Sequence, residues 1–288
     1  MKVQRKFLPG SEWLYIKLYT SEALANEIII KILGQRQIVS LTNGYFFIRY
    51  NDPEFHIRFR FHFPNMDNYS QFFINITEYI DILEKNRYVW KMQFDTYERE
   101  LERYSLVPIE FTEKHFCDET RFIKDYLFLK QENQELSLDW ALSISVINMY
   151  LLKVRLSAND KISCMESMAR AFKQEFGFNE SNSKSLNSMY RNKMKNVNTI
   201  IEERTIENTP LVFTSILSDY NAYCTSYFDR LCEKKTDSHF FSHVGSIIHM
   251  LNNRIFSTQN RLQELVIYDF LSRYYKSKLA RDNKNLVI

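Results

Sequence analysis

The hydrophobic positions near the start of the chain follow first a strand period and then a helical one. In residues 13–19 every second side chain is aliphatic, which is typical of a half-buried strand. Over residues 21–34 apolar side chains recur at helical spacing, with Ser21 in the N-cap position and Gly34 where the helix should end. The pattern therefore predicts a strand followed by a helix.

The pattern then predicts a hairpin, a second helix and a last strand. Two aromatic runs, residues 45–50 and 55–63, are separated by Asn-Asp-Pro-Glu, which favours a turn. Apolar residues over 69–83 describe one helix face, and residues 89–95 read as a strand. The order β-α-β-β-α-β is typical of the split βαβ arrangement, an antiparallel sheet backed by two helices.

From about residue 117 the pattern becomes mostly helical. A polar, turn-rich run over residues 179–187 is interpreted as a loop between two helices. The expected helices cover residues 136–156, 157–178, 210–233, 238–256 and 258–278.

We therefore predict an α+β fold, a split βαβ antiparallel sheet half followed by a mostly helical half. Because little of the sequence resembles a linker, we expect one domain over residues 1–288, with its sheet part at 10–110 and its helical part at 111–280. The 45% of hydrophobic residues exclude intrinsic disorder. The net charge of +3 is too small for a general nucleic-acid binder.

Several motif-based chemistries are excluded by the composition. The 5 glycines form neither a P-loop nor a dinucleotide-binding motif. The 4 cysteines are scattered, and no H-E-x-x-H is present, so we expect no metal and no cofactor. No secretory signal or membrane-spanning run is visible, which leads us to expect a cytoplasmic protein.

The segment at residues 55–63 carries an unusual distribution of charge. Because side chains in a strand alternate between faces, phenylalanines and Ile57 occupy one face. The other face presents His56, Arg58, Arg60 and His62, with no acidic residue among them. Two interpretations remain open, a solvated outer face and a platform that binds anions, for which arginine is well suited.

A second polar group lies on the predicted helix at residues 238–256. Ser242, Ser246, His249 and Asn253 fall at i, i+4, i+7 and i+11 and share one helix face. The spacing alone favours a stripe that faces water. If the stripe instead faces the cationic strand, His249 becomes a candidate for proton transfer.

Four segments in collinear order resemble one known family. Residues 13–19 resemble its W-x-Y-x-K-x-Y opening, and residues 45–61 its F-F-I-R-Y-x-D-P-x-x-H-[LI]-R-x-R-[FI] signature. Residues 95–104 resemble D-T-Y-x-x-E-x-x-R-Y-G, with Ser105 in place of the final Gly, and residues 246–254 resemble S-x-x-H-M-x-x-N-R. The chain is thus identified as similar to the thiopeptide-type bacteriocin biosynthesis domain, the C-terminal glutamate-elimination domain of class I lantibiotic dehydratases, also found as stand-alone proteins.

The resemblance implies a lyase that removes glutamate from glutamylated Ser or Thr of a ribosomal precursor peptide, which leaves dehydroalanine or dehydrobutyrine. Arg58 and Arg60 match the elimination-site arginines of H-x-R-x-R, and Arg103 matches the arginine before Tyr in R-Y. These residues are expected to bind the glutamyl group and to stabilise the departing carboxylate. His249 matches the histidine of H-M-x-x-N-R and is expected to transfer the proton.

Four neighbours of these residues are expected to contact the substrate, namely Arg49, His56, Ser246 and Asn253. The resemblance also implies partners: the precursor peptide with its leader, and a glutamylating dehydratase subunit that alone uses glutamyl-tRNA. A homodimer is compatible with the sequence.

Two other functions stay open. Related stand-alone proteins join two dehydroalanines into the pyridine ring of thiopeptides, a formal [4+2] cycloaddition. A non-catalytic subunit that binds the leader peptide or supports the glutamylating partner is the other alternative. The retained arginines Arg58, Arg60 and Arg103 favour elimination over pyridine formation, because a ring-forming enzyme need not bind glutamate.

Overall fold

A computed structural model describes residues 3–133, 138–203 and 211–285. The strands in these ranges are β1 (Lys6–Phe7), β2 (Trp13–Tyr19), β3 (Gly44–Asn51), β4 (Phe55–His62), β5 (Lys91–Asp95) and β6 (Tyr97–Glu98). The first helices are α1 (Ala25–Leu33), α2 (Arg36–Val39), α3 (Met66–Lys85) and α4 (Ile109–Glu132). The later helices are α5 (Asp139–Lys153), α6 (Ala158–Glu175), α7 (Glu180–Asn198), α8 (Leu211–Tyr223), α9 (Thr225–Cys232), α10 (Phe240–Ile255) and α11 (Asn260–Asn285).

The predicted α+β class and the antiparallel sheet are confirmed. Four strands are hydrogen-bonded in the order β3-β4-β2-β5, and every pairing is antiparallel. In this register Arg58 of β4 lies opposite Lys17 of β2 on one side and Ile48 of β3 on the other. The strands β1 and β6 form a separate two-stranded ladder.

The aromatic face of β4 packs against α3, as the period-two pattern predicts. The Phe61 ring lies 4.6 Å from the Phe72 ring of α3, and Phe94 of β5 lies 5.1 Å from Phe73. Phe59 and Phe61 are at most 1% exposed. Burial of such a side chain stabilises the fold by about 1.5–3 kcal/mol, which holds the register and directs the alternate residues of β4 to the opposite face.

The chain divides into two compact units. The first unit contains residues 1–135 and 215–227, and the second unit contains residues 136–214 and 228–288. The sheet and α4 belong to the first unit, so its boundary lies well beyond the predicted end of the sheet part at residue 110. The expectation of one domain over the whole chain stays a prediction.

The predicted loop at residues 179–187 is wrong, because this segment begins helix α7. Asn179 caps the helix by accepting a hydrogen bond from the Asn182 amide, and the Asn182 side chain accepts one from the Asn179 amide in return. Leu186 and Val197 are the buried residues of this helix. Polar residues fill its exposed face, so local composition alone indicated a loop.

The helix expected over residues 210–233 is interrupted near Cys224, between α8 and α9. Its first residue, Pro210, lies outside the described residues. Within the described ranges, no helix combines the length and the apolar character needed to span a bilayer.

Candidate active site

The sheet face opposite α3 carries the cationic side chains of β4. His56, Arg58, Arg60 and His62 lie on this polar face, because they alternate with the buried phenylalanines. Within the four strands, Asp95 is the only carboxylate whose register places it on the polar face. The polar face therefore has a strong excess of positive charge.

Arg60 lies in a cage of three aromatic rings. Its guanidinium carbon is 4.7 Å from the centre of the Tyr15 ring, 4.9 Å from Tyr97 and 5.2 Å from Phe46. The residue is only 7% exposed, and its buried Nε and Nη1 atoms have no hydrogen-bond partner. No ion pair joins it to any described residue. A buried arginine in this condition lacks the anion that normally compensates its desolvation.

Burial also affects the two tyrosines of the cage. It raises the pKa of Tyr15, an effect that the positive charge of Arg60 opposes. It raises the pKa of Tyr97 well above the ordinary value, and Glu113 adds to the shift by accepting a 2.8 Å hydrogen bond from the Tyr97 hydroxyl. Both phenols therefore stay neutral, so neither supplies a counter-charge to Arg60.

Arg58, two residues before Arg60 on β4, is held in place by His56 and Tyr50. Its Nε donates a 3.0 Å hydrogen bond to Nε2 of His56, and its guanidinium stacks 3.3 Å from the centre of the Tyr50 ring. Nδ1 of His56 lies 2.8 Å from the Glu54 carbonyl oxygen. Burial, reinforced by Arg58, lowers the pKa of His56, so a neutral ring that donates through Nδ1 and accepts through Nε2 fits this geometry. The terminal nitrogens of Arg58 make no hydrogen bond to a described residue.

Lys17 and Asp95 complete the polar face, and sequence analysis missed both. They form an ion pair across the β2 and β5 strands, and the hydrogen bond from Lys17 lowers the pKa of Asp95. The period of β2 could have revealed Lys17, since it alternates with Tyr15 and Tyr19 as the arginines do on β4. This pair neutralises the one carboxylate of the four strands that shares the polar face with Arg58 and Arg60.

Two of the expected arginines lie elsewhere in the first unit. Arg49 occupies the opposite sheet face, where its Nη2 donates a 2.7 Å hydrogen bond to Asn26 of α1. This position separates it from any group bound on the polar face, which argues against the expected substrate contact. Arg103 lies in the turn after β6, where it pairs with Glu100 at 3.1 Å and remains 35% exposed at its side chain.

His249 belongs to the second unit and is bound to a buried carboxylate. Its Nδ1 atom lies 2.9 and 3.1 Å from the two carboxylate oxygens of Glu264 on α11. The His249 side chain is 28% exposed, whereas that of Glu264 is fully buried. Nε2 of His249 makes no hydrogen bond to a described residue, so it remains available to a bound molecule.

The other expected residues of α10 follow a gradient of burial along the helix. Ser246 is half-buried and Asn253 is 6% exposed, whereas Ser242 is exposed. The stripe is therefore not the uniformly solvated face that its spacing favoured. The roles of Ser246 and Asn253 stay predictions, as does the expectation that His249 faces Arg58 and Arg60.

A cavity of about 640 Å³ lies in the first unit beside the Trp13 end of β2. Its lining includes Glu12, His62 and Arg99. Burial lowers the pKa of His62, whose ring lies 4.8 Å from the Trp13 ring at an interplanar angle of 42°. Both acidic and basic side chains line this cavity, so its lining does not share the excess of positive charge of the polar face.

The chain belongs to the family described as lantibiotic biosynthesis dehydratase C-term, whose model matches residues 13–275. It is 28% identical over 293 residues to the nisin biosynthesis protein NisB of Lactococcus lactis subsp. lactis, and the match covers 96% of the chain. The chain spans 26% of the length of that relative. The predicted family is thereby confirmed.

Two solved structures share the fold. The tRNA-dependent lantibiotic dehydratase MibB of Microbispora sp. 107891 matches with a TM-score of 0.72 at 18% identity, over 98% of this chain and 29% of MibB. The pyridine synthase TbtD from thiomuracin biosynthesis matches with a TM-score of 0.52 at 12% identity, over 92% of this chain and 99% of TbtD. The same fold thus occurs within a long dehydratase and in a protein of about the size of this chain.

Proposed function

We propose that this chain eliminates glutamate from glutamylated Ser or Thr residues of a ribosomal precursor peptide. The observation that carries the proposal is Arg60, a buried arginine with no ion-pair partner among the described residues, surrounded by three rings. Such a cation is costly unless an anion binds to it. A glutamyl group supplies that anion through its own carboxylate and, on leaving, through the carboxylate formed from the ester.

Arg58 and Arg60 together suit both carboxylates of the glutamyl group. The unpaired nitrogens of Arg60 and the terminal nitrogens of Arg58 are all donors, and guanidinium groups bind carboxylates in a bidentate manner. His56 orients Arg58 through the hydrogen bond between them, so it acts as a positioning residue in this proposal. Fixed donors of this kind stabilise negative charge as it forms on the leaving group.

His249 removes the α-proton in the proposed reaction. Its free Nε2 atom takes the proton from the α-carbon of the glutamylated residue, and the electron pair of that C–H bond forms the double bond to the β-carbon. The bond between the β-carbon and the ester oxygen breaks, and its electron pair leaves with glutamate. Arg103, whose ion pair with Glu100 is partly exposed, is assigned to the departing carboxylate by family resemblance.

The proposal also assigns partners. The chain spans 26% of the length of NisB and 29% of the length of MibB. As the family resemblance implies, we assign the use of glutamyl-tRNA to a glutamylating dehydratase subunit; MibB is described as tRNA-dependent. This chain then receives the glutamylated precursor peptide from that subunit, and its own reaction requires no added metal or cofactor.

The test is mass spectrometry of a synthetic peptide that carries O-glutamyl serine, incubated with the purified protein. We expect loss of glutamate and formation of dehydroalanine. Arg60→Met should slow this reaction by about 100-fold or more, because a charge-assisted donor is lost. Arg36→Ala, which removes an exposed arginine from the same unit, should leave the rate unchanged.

Two results would contradict the proposal. The glutamylated peptide could persist while a peptide with two dehydroalanines is converted to a pyridine, which would establish the ring-forming alternative. Alternatively, the protein could bind the peptide and transform neither substrate, which would indicate the non-catalytic subunit.

A further inference from the structure

The proposed base, His249, contacts a fully buried glutamate, Glu264. Glu264 on α11 is 0% exposed, and it contacts Nδ1 of His249 through both of its oxygens. Neither the sequence motifs nor the family resemblance pointed to this residue. A buried carboxyl group is costly unless it has hydrogen-bond partners, and Glu264 has them.

The hydrogen bonds around Glu264 all run toward its carboxylate. The Tyr268 hydroxyl donates to Oε2 of Glu264 at 2.7 Å, and it accepts from Nδ2 of Asn252 at 3.2 Å. The Asn252 amide is oriented in turn by Ser143, whose hydroxyl donates to Oδ1 at 2.6 Å. Tyr268 donates its proton to Oε2, the oxygen that also lies closer to Nδ1 of His249, at 2.9 Å, so a proton carried by Nδ1 fits this hydrogen-bond pattern.

The neighbouring carboxylate does not compete for this role. Glu175 is paired with Arg261 instead, and the hydrogen bond from Arg261 is the main cause of the lowered pKa of this carboxyl group. Arg261 donates to Oε1 of Glu175 at 2.7 Å, and both side chains are more than 40% exposed. Glu264 is thus the buried, directly bonded partner of the histidine.

We infer that Glu264 is a positioning residue that holds neutral His249 in the tautomer protonated at Nδ1, so that Nε2 presents its lone pair to the substrate. This inference rests on the proposed elimination and names the residue that prepares its base. A carboxylate that fixes a catalytic histidine in this way acts on the rate of proton transfer rather than on substrate binding.

The experiment combines imidazole ¹⁵N NMR with kinetics on the full chain. The NMR spectrum of the neutral ring, with the His249 signals assigned from a His249→Gln variant, should show a proton on Nδ1 in the unmodified protein. Glu264→Gln should populate the tautomer protonated at Nε2, because the amide can donate to Nδ1. The same variant should lower kcat by about 100-fold with KM within about twofold.

Two further variants keep the test decisive if Glu264→Gln lowers stability. Glu264→Asp retains the carboxylate and should recover part of kcat together with the Nδ1 tautomer. Glu180→Gln removes an exposed carboxylate from the same unit and should change neither the tautomer of His249 nor kcat.

The inference is overturned if unmodified His249 carries its proton on Nε2. It is also overturned if Glu264→Gln alters only one of the two readings, the tautomer or kcat. The NMR measurement needs no peptide, so a protein with the Nδ1 tautomer but no elimination activity would contradict the proposed function and leave the tautomer assignment standing.

Discussion

Replacement of Arg60 by methionine should separate stability from activity. Arg60→Met keeps an unbranched apolar stem within the aromatic cage and removes the charge. Two buried guanidinium nitrogens without partners cost about 1–3 kcal/mol each, whereas cation–π contacts with three rings return about 0.5–1 kcal/mol each. These effects nearly cancel or favour the variant, so the free energy of unfolding should fall by less than about 1 kcal/mol.

Arg99→Met is the matched comparison, because Arg99 is also a buried arginine of the first unit. Its Nε and Nη2 donate to the two oxygens of Glu113 at 2.7 and 2.6 Å, and both residues are 4% exposed. Removal of Arg99 leaves that carboxylate buried without its main partner, which should cost about 3–5 kcal/mol.

Urea denaturation followed by circular dichroism measures both variants, and the midpoint and slope together give the free energy of unfolding. Arg60→Met is expected to unfold with a free energy close to that of the unmodified protein, and Arg99→Met with a much lower one. If Arg60→Met is destabilised as much as Arg99→Met, then Arg60 has a structural partner and is not held ready for an anion.

Two other changes test the packing and the titration of the fold. A Cβ at Gly44 would lie 2.9 Å from Sγ of Cys117, so Gly44→Ala should lower the free energy of unfolding by about 1–3 kcal/mol. Cys117→Ala should relieve part of this loss in a double-mutant cycle. If the effects of the two substitutions are strictly additive, the two side chains do not clash. Burial lowers the pKa of His243 from 6.5 to about 4, so below pH 6.5 the unfolded chain binds a proton that the folded chain does not. The free energy of unfolding should therefore decrease from pH 6.5 to 4, and less steeply in His243→Gln; an equal slope in both proteins would contradict the assignment.

The sheet was largely predictable because its strands obey a strict period. Alternation along residues 55–63 placed the arginines on one face and the phenylalanines on the other, and burial of Phe59 and Phe61 enforces that register. The same alternation along β3 could have placed Arg49 with Phe47 rather than with the arginines of β4. The family motif drew attention to Arg49 without regard to the face on which it lies.

The environment of each site residue could not be read from the sequence. The cage around Arg60 joins rings from β2, β3 and β6, which meet only after the strands pair. Glu264 is 15 positions from His249 and resembles any polar residue of a long helix until α10 and α11 pack together. The helix at α7 was missed because its stability comes from capping and from a few buried side chains rather than from apolar composition.

The most direct test of the account is a crystal structure of the chain with a peptide analogue that cannot react. In this analogue an amide nitrogen replaces the ester oxygen of O-glutamyl serine, so the glutamyl group binds but does not leave. We expect a glutamyl carboxylate within about 2.7–2.9 Å of the guanidinium nitrogens of Arg60 and Arg58. Binding of the glutamyl group in the cavity beside Trp13, with Arg60 still without an anion, would contradict the central claim.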